Sequence, residues 1–193
     1  RAVEQLLVQP ADGGGMPHPL GHEDVRLLDG GRDAWMGEER DTSFVVPDYP
    51  RSEYPVVERQ DAPFRAFASE LLERTPAQLI DARPAPFYLG EDPNPGPSSA
   101  PSLRQGHIPG AVNMDWVDAM DRQRALRIRD YAELITELGA LGLTPDMEIA
   151  THCQSHHRSS FTWLVGKALG FNIRGYAGSW AEWGNRDDTP IER

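Results

Sequence analysis

The only cysteine in the 193 residues, Cys153, opens the stretch Cys153-Gln154-Ser155-His156-His157-Arg158. An unpaired cysteine used for packing sits among apolar neighbours. This one is followed by five polar residues, which suits a nucleophile better. The thiolate is the reactive form, and a helix N-terminus or a nearby arginine favours it. Met147-Glu148-Ile149-Ala150-Thr151-His152 reads as a strand, and the apolar spacing after Ser159 predicts a helix over 159–169. The cysteine therefore falls at the carboxyl end of a strand, just before a helix N-terminus. A short loop there can turn several backbone N–H groups toward one point and cradle an anion. The chemistry on offer is attack by Cys153 on a small anionic substrate held by Gln154, Ser155, His156, His157 and Arg158. Arg158 could equally fix the loop by bonding carbonyls.

The same residues invite a metal reading, because His152, Cys153, His156 and His157 lie within six positions and suit zinc or copper by type. Strand alternation turns His152 away from Cys153, and inward-pointing N–H groups repel a cation. No metal is expected.

Elements on either side must hold this loop in place. A helix is predicted at 64–73, a strand at 78–82, a Pro/Ser-rich loop at 84–102 and a strand at 111–114. A helix at 130–139 carries Tyr131, Leu134, Ile135 and Leu138 on one face, and a last strand spans 173–176. Alternating strands and helices imply an α/β fold, a parallel sheet covered on both faces, with its ligand site beyond the carboxyl ends of strands.

A partial repeat precedes this unit. Val25 to Trp35 and Ile173 to Trp183 share, at an offset of 148, Arg26/Arg174, Gly30/Gly178 and Trp35/Trp183. Each copy reads as a short strand, a glycine turn and an aromatic-anchored helix start. Residues 1–19, with three prolines and Gly13-Gly14-Gly15, cannot build a counterpart of the 159–169 helix and stay unassigned. Residues 20–46 are expected to be the tail of a first domain. The four prolines of 47–63 predict an extended interdomain linker, leaving 64–193 as a complete domain. The chain begins with Arg rather than Met, so a preceding portion is expected.

Composition bounds the partners. Thirty Asp and Glu against 19 Lys and Arg give a net charge of −11, which argues against nucleic acid and anionic membranes. No apolar run reaches the roughly 18 residues of a membrane span. One cysteine excludes an internal disulfide framework, and with no signal peptide visible a soluble protein of the reducing cytoplasm is expected. The acidity is uneven, however. From Ile149 through Ala181, 33 residues hold no Asp or Glu but do hold Arg158, Lys167 and Arg174. Small anions are therefore not excluded.

From about residue 78 to 192 the chain resembles the rhodanese family of sulfurtransferases. The marks are Leu79-Ile80-Asp81-Ala82-Arg83, then Gly106-His107-Ile108-Pro109-Gly110-Ala111, the Cys153–Arg158 loop, and Gly178-Ser179-Trp180-Ala181-Glu182-Trp183-Gly184, in the family's order. Residues 20–63 likewise resemble the end of the inactive first domain and the linker of tandem rhodaneses. The resemblance implies a three-layer, rhodanese-like fold. It also implies transfer of sulfane sulfur from a small anionic donor such as thiosulfate to a thiophilic acceptor, cyanide or a thiol. The carrier would be a persulfide on Cys153, with no other cofactor. Asp81, Arg83 and Trp180 are expected to border the pocket, with an Asp81–Arg83 ion pair bracing the loop as an equal alternative. His107 is expected to bond backbone, and Trp163 and Trp183 to pack. The sequence departs from two relatives of the family: Gln154 and Ser155 replace the residues usual after the cysteine, and Phe87 stands where a substrate-gripping Arg is usual. Cysteine-dependent phosphatases and arsenate reductases pair a loop cysteine with an arginine six positions on. Here the separation is five, a ring that favours a sulfur target. A non-catalytic sulfur-carrier or interaction module is the remaining alternative.

Overall fold

Five short strands run parallel in one sheet. They belong to a computed structural model that describes residues 7–8, 25–53, 55, 57–74, 78–92 and 102–193. Two strands precede the sheet, β1 (Leu7–Val8) and β2 (Leu27–Leu28), followed by helix α1 (Gly31–Gly37). The sheet begins with β3 (Arg65–Ala66), helix α2 (Ala68–Leu72), β4 (Gln78–Asp81), the one-turn helix α3 (Ala85–Tyr88) and β5 (Val112–Asn113). A 3-10 turn at Trp116–Ala119 leads into an antiparallel hairpin of β6 (Met120–Asp121) and β7 (Arg127–Ile128). Then follow α4 (Tyr131–Ala140), β8 (Ile149–His152), α5 (His157–Ala168), β9 (Ile173–Tyr176) and α6 (Ser179–Trp183). The order across the parallel sheet is β3-β9-β8-β4-β5.

Period-two alternation sorts the strand side chains onto two cores. Ile80, Ile149 and Ile173 face α4 and α5 with Leu134, Leu138 and Val165. Leu79, Ala150 and Tyr176 face the other way with Ala68, Trp180 and Trp183. Two buried faces explain why β4 and β8 carry apolar residues at successive positions. Asp130 caps α4 by accepting from the N–H groups of Ala132 and Glu133.

The helix expected at 64–73 is a strand followed by a shorter helix, because Arg65–Ala66 pairs with Gly175–Tyr176 at the sheet edge. The 84–102 stretch contains α3 in its described part, started by Pro84 and Pro86; residues 93–101 lie outside the described residues, as do 1–6 and 9–24. Nothing in the sequence announces the hairpin: its strands are two residues long, and its turn places Ala125 and Leu126 at φ 55° and 58° without a glycine to signal it.

The strand, glycine turn and helix read at 25–35 are present as β2 and α1. They are docked rather than trailing. The Asp29 carboxylate accepts from the Ile128 N–H at 2.9 Å, Glu38 pairs with Arg127, and a Cβ at Gly30 would fall 2.9 Å from Arg127 Cγ. Ala34 is buried. Removing residues 1–63 strips the Ile128 N–H of its acceptor, which costs about 1–3 kcal/mol. The 64–193 piece is therefore expected to fold with a lower urea midpoint than the full chain, and equal midpoints would show that the docking is idle.

Candidate active site

At the carboxyl edge of the sheet, β4 leads to β5 on one side while β8 leads to β9 on the other. Such a reversal opens a crevice between the two strand ends. Asp81 ends β4 and His152 ends β8, and they are register partners. Cys153 follows at once, 1% exposed, and α5 begins four residues later.

The next helix orients the loop between them. Trp180 N–H donates to the Cys153 carbonyl at 3.0 Å and Ala181 N–H to the Gln154 carbonyl at 2.8 Å, so the first turn of α6 holds both loop carbonyls. The Cys153 N–H donates to Ser179 Oγ at 3.3 Å, and that hydroxyl donates to the Tyr176 carbonyl at 2.9 Å. Ser179 holds φ 53° while fully buried, a conformation that costs a non-glycine residue about 1 kcal/mol or more. With the carbonyls tied down, none of the backbone N–H groups of Ser155, His156, His157 and Arg158 donates to a backbone carbonyl among the described residues. Four such donors in a row at a helix N-terminus are of the kind that can bind an anion.

The side chains of the loop diverge. Gln154 is buried and donates from Nε2 to Ser102 Oγ at 2.9 Å. Ser155 is half-buried and His157 exposed. His156 takes φ 67° as the N-cap of α5. Its ring bonds Ser159 Oγ through Nδ1 at 2.7 Å and packs where a Cβ on Gly175 would be, so the imidazole is a wedge between α5 and β9. Burial, with help from His152 and Arg65, pushes its pKa down to about 4. In an unfolded chain the ring titrates near 6.5. Between those values only the unfolded state binds the proton, so stability falls as pH drops from about 6.5 toward 4. The loss is on the order of 3 kcal/mol in full. Comparing urea midpoints at pH 7 and 4.5 should show a smaller acid loss for His156→Asn than for the parent; equal losses would place the titration elsewhere.

Arg158 is half-buried at the start of α5 and faces Asp115. Burial holds the pKa of that carboxyl above the usual carboxylate range, despite the Val117 N–H bond and the charges of Arg158 and Arg122. The other two cations of the carboxylate-free segment do not join it. Arg174 pairs with Glu70 at 2.8 Å and Lys167 lies in the last turn of α5. Among the described residues no group of His, Cys, Asp and Glu is arranged to hold a metal.

Below the loop, Asp81 is fully buried and Arg83 is 2% exposed. Arg83 Nη2 lies 2.5 Å from Asp81 Oδ2 and Nε 2.9 Å from Oδ1, an ion pair that braces this end of β4. The guanidinium sits 4.5 Å over the Trp180 ring. Arg83 and Trp180 line a cleft beside Gln154, with Phe87 on its wall; Asp81 lies behind them. His152 Nε2 is 3.6 Å from Asp81 Oδ2, and burial holds its pKa down despite that carboxylate. His107 bonds the Tyr88 carbonyl at 2.9 Å, and Trp183 is core. Trp163 is half-buried against the first core. Ser179 and Ser102 bond the loop and are residues that residue type alone does not single out. Only Ser179 lies within a motif, directly after the glycine that follows β9.

The geometry is that of a family. The rhodanese-like domain model matches residues 65–186, and the chain belongs to that family. The chain is 50% identical over 180 residues to a thiosulfate sulfurtransferase of Corynebacterium glutamicum, covering 90% of this chain and 58% of that protein. It is 44% identical over 177 residues to a thiosulfate sulfurtransferase of Azotobacter vinelandii, covering 90% and 61%. A sulfur carrier protein, TtuD of Thermus thermophilus, is 37% identical over 182 residues, covering 90% and 63%. The chain thus spans roughly three fifths of these relatives. Among solved structures, wild-type EanB superposes with a TM-score of 0.75 at 25% identity, over 90% of this chain and 42% of that one. An EanB variant with ergothioneine covalently linked to a cysteine persulfide gives 0.76 at 24%, over the same shares, and bears on the fold alone.

Proposed function

We propose that the chain moves sulfane sulfur from thiosulfate, or a donor like it, to cyanide or a thiol through a persulfide on Cys153. The observation that carries this is the cysteine followed by four backbone N–H groups free of any backbone acceptor among the described residues. The Cys153 thiolate attacks the outer sulfur of thiosulfate. The sulfur–sulfur bond of the donor breaks, and sulfite leaves with the electron pair. The N–H groups of Ser155–Arg158 and the Arg158 guanidinium stabilise the charge on the departing oxygens and on the new terminal sulfur. In the second half, the acceptor attacks that sulfur and the electron pair of the broken bond returns to Cys153. Relatives that bear the name thiosulfate sulfurtransferase support the donor.

We also propose that residues 20–46 are the tail of a first rhodanese-like domain, 47–63 a linker and 64–193 the catalytic domain, in keeping with the share of each relative that the chain spans. A reducing compartment such as the cytoplasm suits a lone reactive thiol. Incubation with thiosulfate should add about 32 Da, one sulfur atom, to the intact protein, and cyanide should remove it as thiocyanate. A chain that gains no mass would overturn the proposal.

A further inference from the structure

The cleft between Phe87 and Trp180 adjoins the Cys153 loop through Gln154 and encloses about 20 Å³, the room of one oxygen-sized group. Two guanidinium groups reach it. Arg104 spends Nε, Nη1 and Nη2 on the carbonyls of Gly184, Thr189, Trp183 and Arg186 and on the Thr189 hydroxyl. Arg83 spends Nε and Nη2 on Asp81 and on the Gly106 carbonyl. No described residue accepts from Arg83 Nη1. Arg83 is 2% exposed, and its Nη1 pair, with no described protein acceptor, is left beside a cleft for water or a ligand oxygen to accept. The ring of Trp180 holds its plane fixed, so the donor is pre-aimed.

We infer that Arg83 Nη1 receives an oxygen of the sulfur acceptor, so that the chain selects small thiols bearing a carboxylate or hydroxyl over plain alkyl thiols. This deepens the sulfurtransferase reading and rests on it. The acceptor thiolate attacks the outer sulfur of the persulfide, the Cys153 Sγ–S bond breaks, its electron pair restores the Cys153 thiolate, and the acceptor leaves as its own persulfide with no net oxidation.

The acceptor half-reaction isolates the effect. Protein is loaded with thiosulfate, its persulfide confirmed by mass, and decay followed with 3-mercaptopropionate, 2-mercaptoethanol, ethanethiol and cysteamine. Each rate is divided by that thiol's rate with a free persulfide. The two oxygen-bearing thiols should exceed ethanethiol by about tenfold, the size of a charge-assisted hydrogen bond. Arg83→Lys, which keeps a cation for Asp81 but lacks the second arm, should erase that preference. Equal normalised rates for the parent protein, or cysteamine fastest, would overturn the inference, as would a preference that survives in Arg83→Lys. If Arg83→Lys does not load, the parent series alone decides. Failure of the parent to gain sulfur at all would strike the sulfurtransferase reading instead.

Discussion

Cys153→Ser is expected to gain no mass from thiosulfate and to lose all measurable thiosulfate:cyanide transfer. Serine keeps the size of the side chain and the two backbone bonds that fix position 153, its N–H donating to Ser179 and its carbonyl accepting from Trp180. It loses only the soft nucleophile that can be ionised near neutral pH. No second thiol exists to take over, because the chain has a single cysteine. The buried serine hydroxyl should cost about 1–3 kcal/mol of stability, so the variant is compared with the parent under conditions where both are folded, while intact mass and thiocyanate production drop to background. Residual transfer above background would mean that the cradle rather than the thiol carries the sulfur, and the mechanism would have to be abandoned.

Arg83→Met should be among the most destabilising single changes in the chain. Asp81 has no exposed surface, so its carboxylate would be stranded in the protein interior beside His152, and the loss of one partner of a buried pair costs about 3–5 kcal/mol. The Gly106 carbonyl would lose its donor, and the Trp180 ring its cation. For a domain of this size the loss corresponds to a fall in Tm of about 10 °C. The double variant Asp81→Asn with Arg83→Met should recover much of that loss, because no charge is left buried. A thermal melt of the two variants decides the matter: a double variant no more stable than Arg83→Met would place the cost in packing. Activity should fall in both, since Trp180 carries the N–H that holds the Cys153 carbonyl.

Much of the site is legible in the sequence because its chemistry is local. Cys153 at a strand end, with polar residues running into a helix, follows from residue types in one short window. The sheet is legible as a class for the same reason: β4 and β8 each carry two adjacent apolar residues between helical patterns. Strand order is not, because nothing in Gln78–Asp81 or Ile149–His152 says which neighbours they choose. The partners of the loop are hidden likewise. Ser179 lies 26 positions from Cys153 and Ser102 lies 52 from Gln154, separations at which residue spacing carries no information. The 120–128 hairpin escapes because its turn uses alanine and leucine at positive φ. Residue type makes His156 a wall of the substrate loop, yet its ring packs on Gly175, a contact only the fold creates.

The near-complete burial of Cys153 has a temporal consequence. If sulfane sulfur is carried there as proposed, the burial of Cys153 shields it from bulk thiols. On the proposed mechanism, reaction with a solvent nucleophile would require an opening event, and the lifetime of the loaded chain would follow how often it opens. On that mechanism the protein would be a timed store, holding reactive sulfur out of circulation until something small enough or well enough matched comes to collect it.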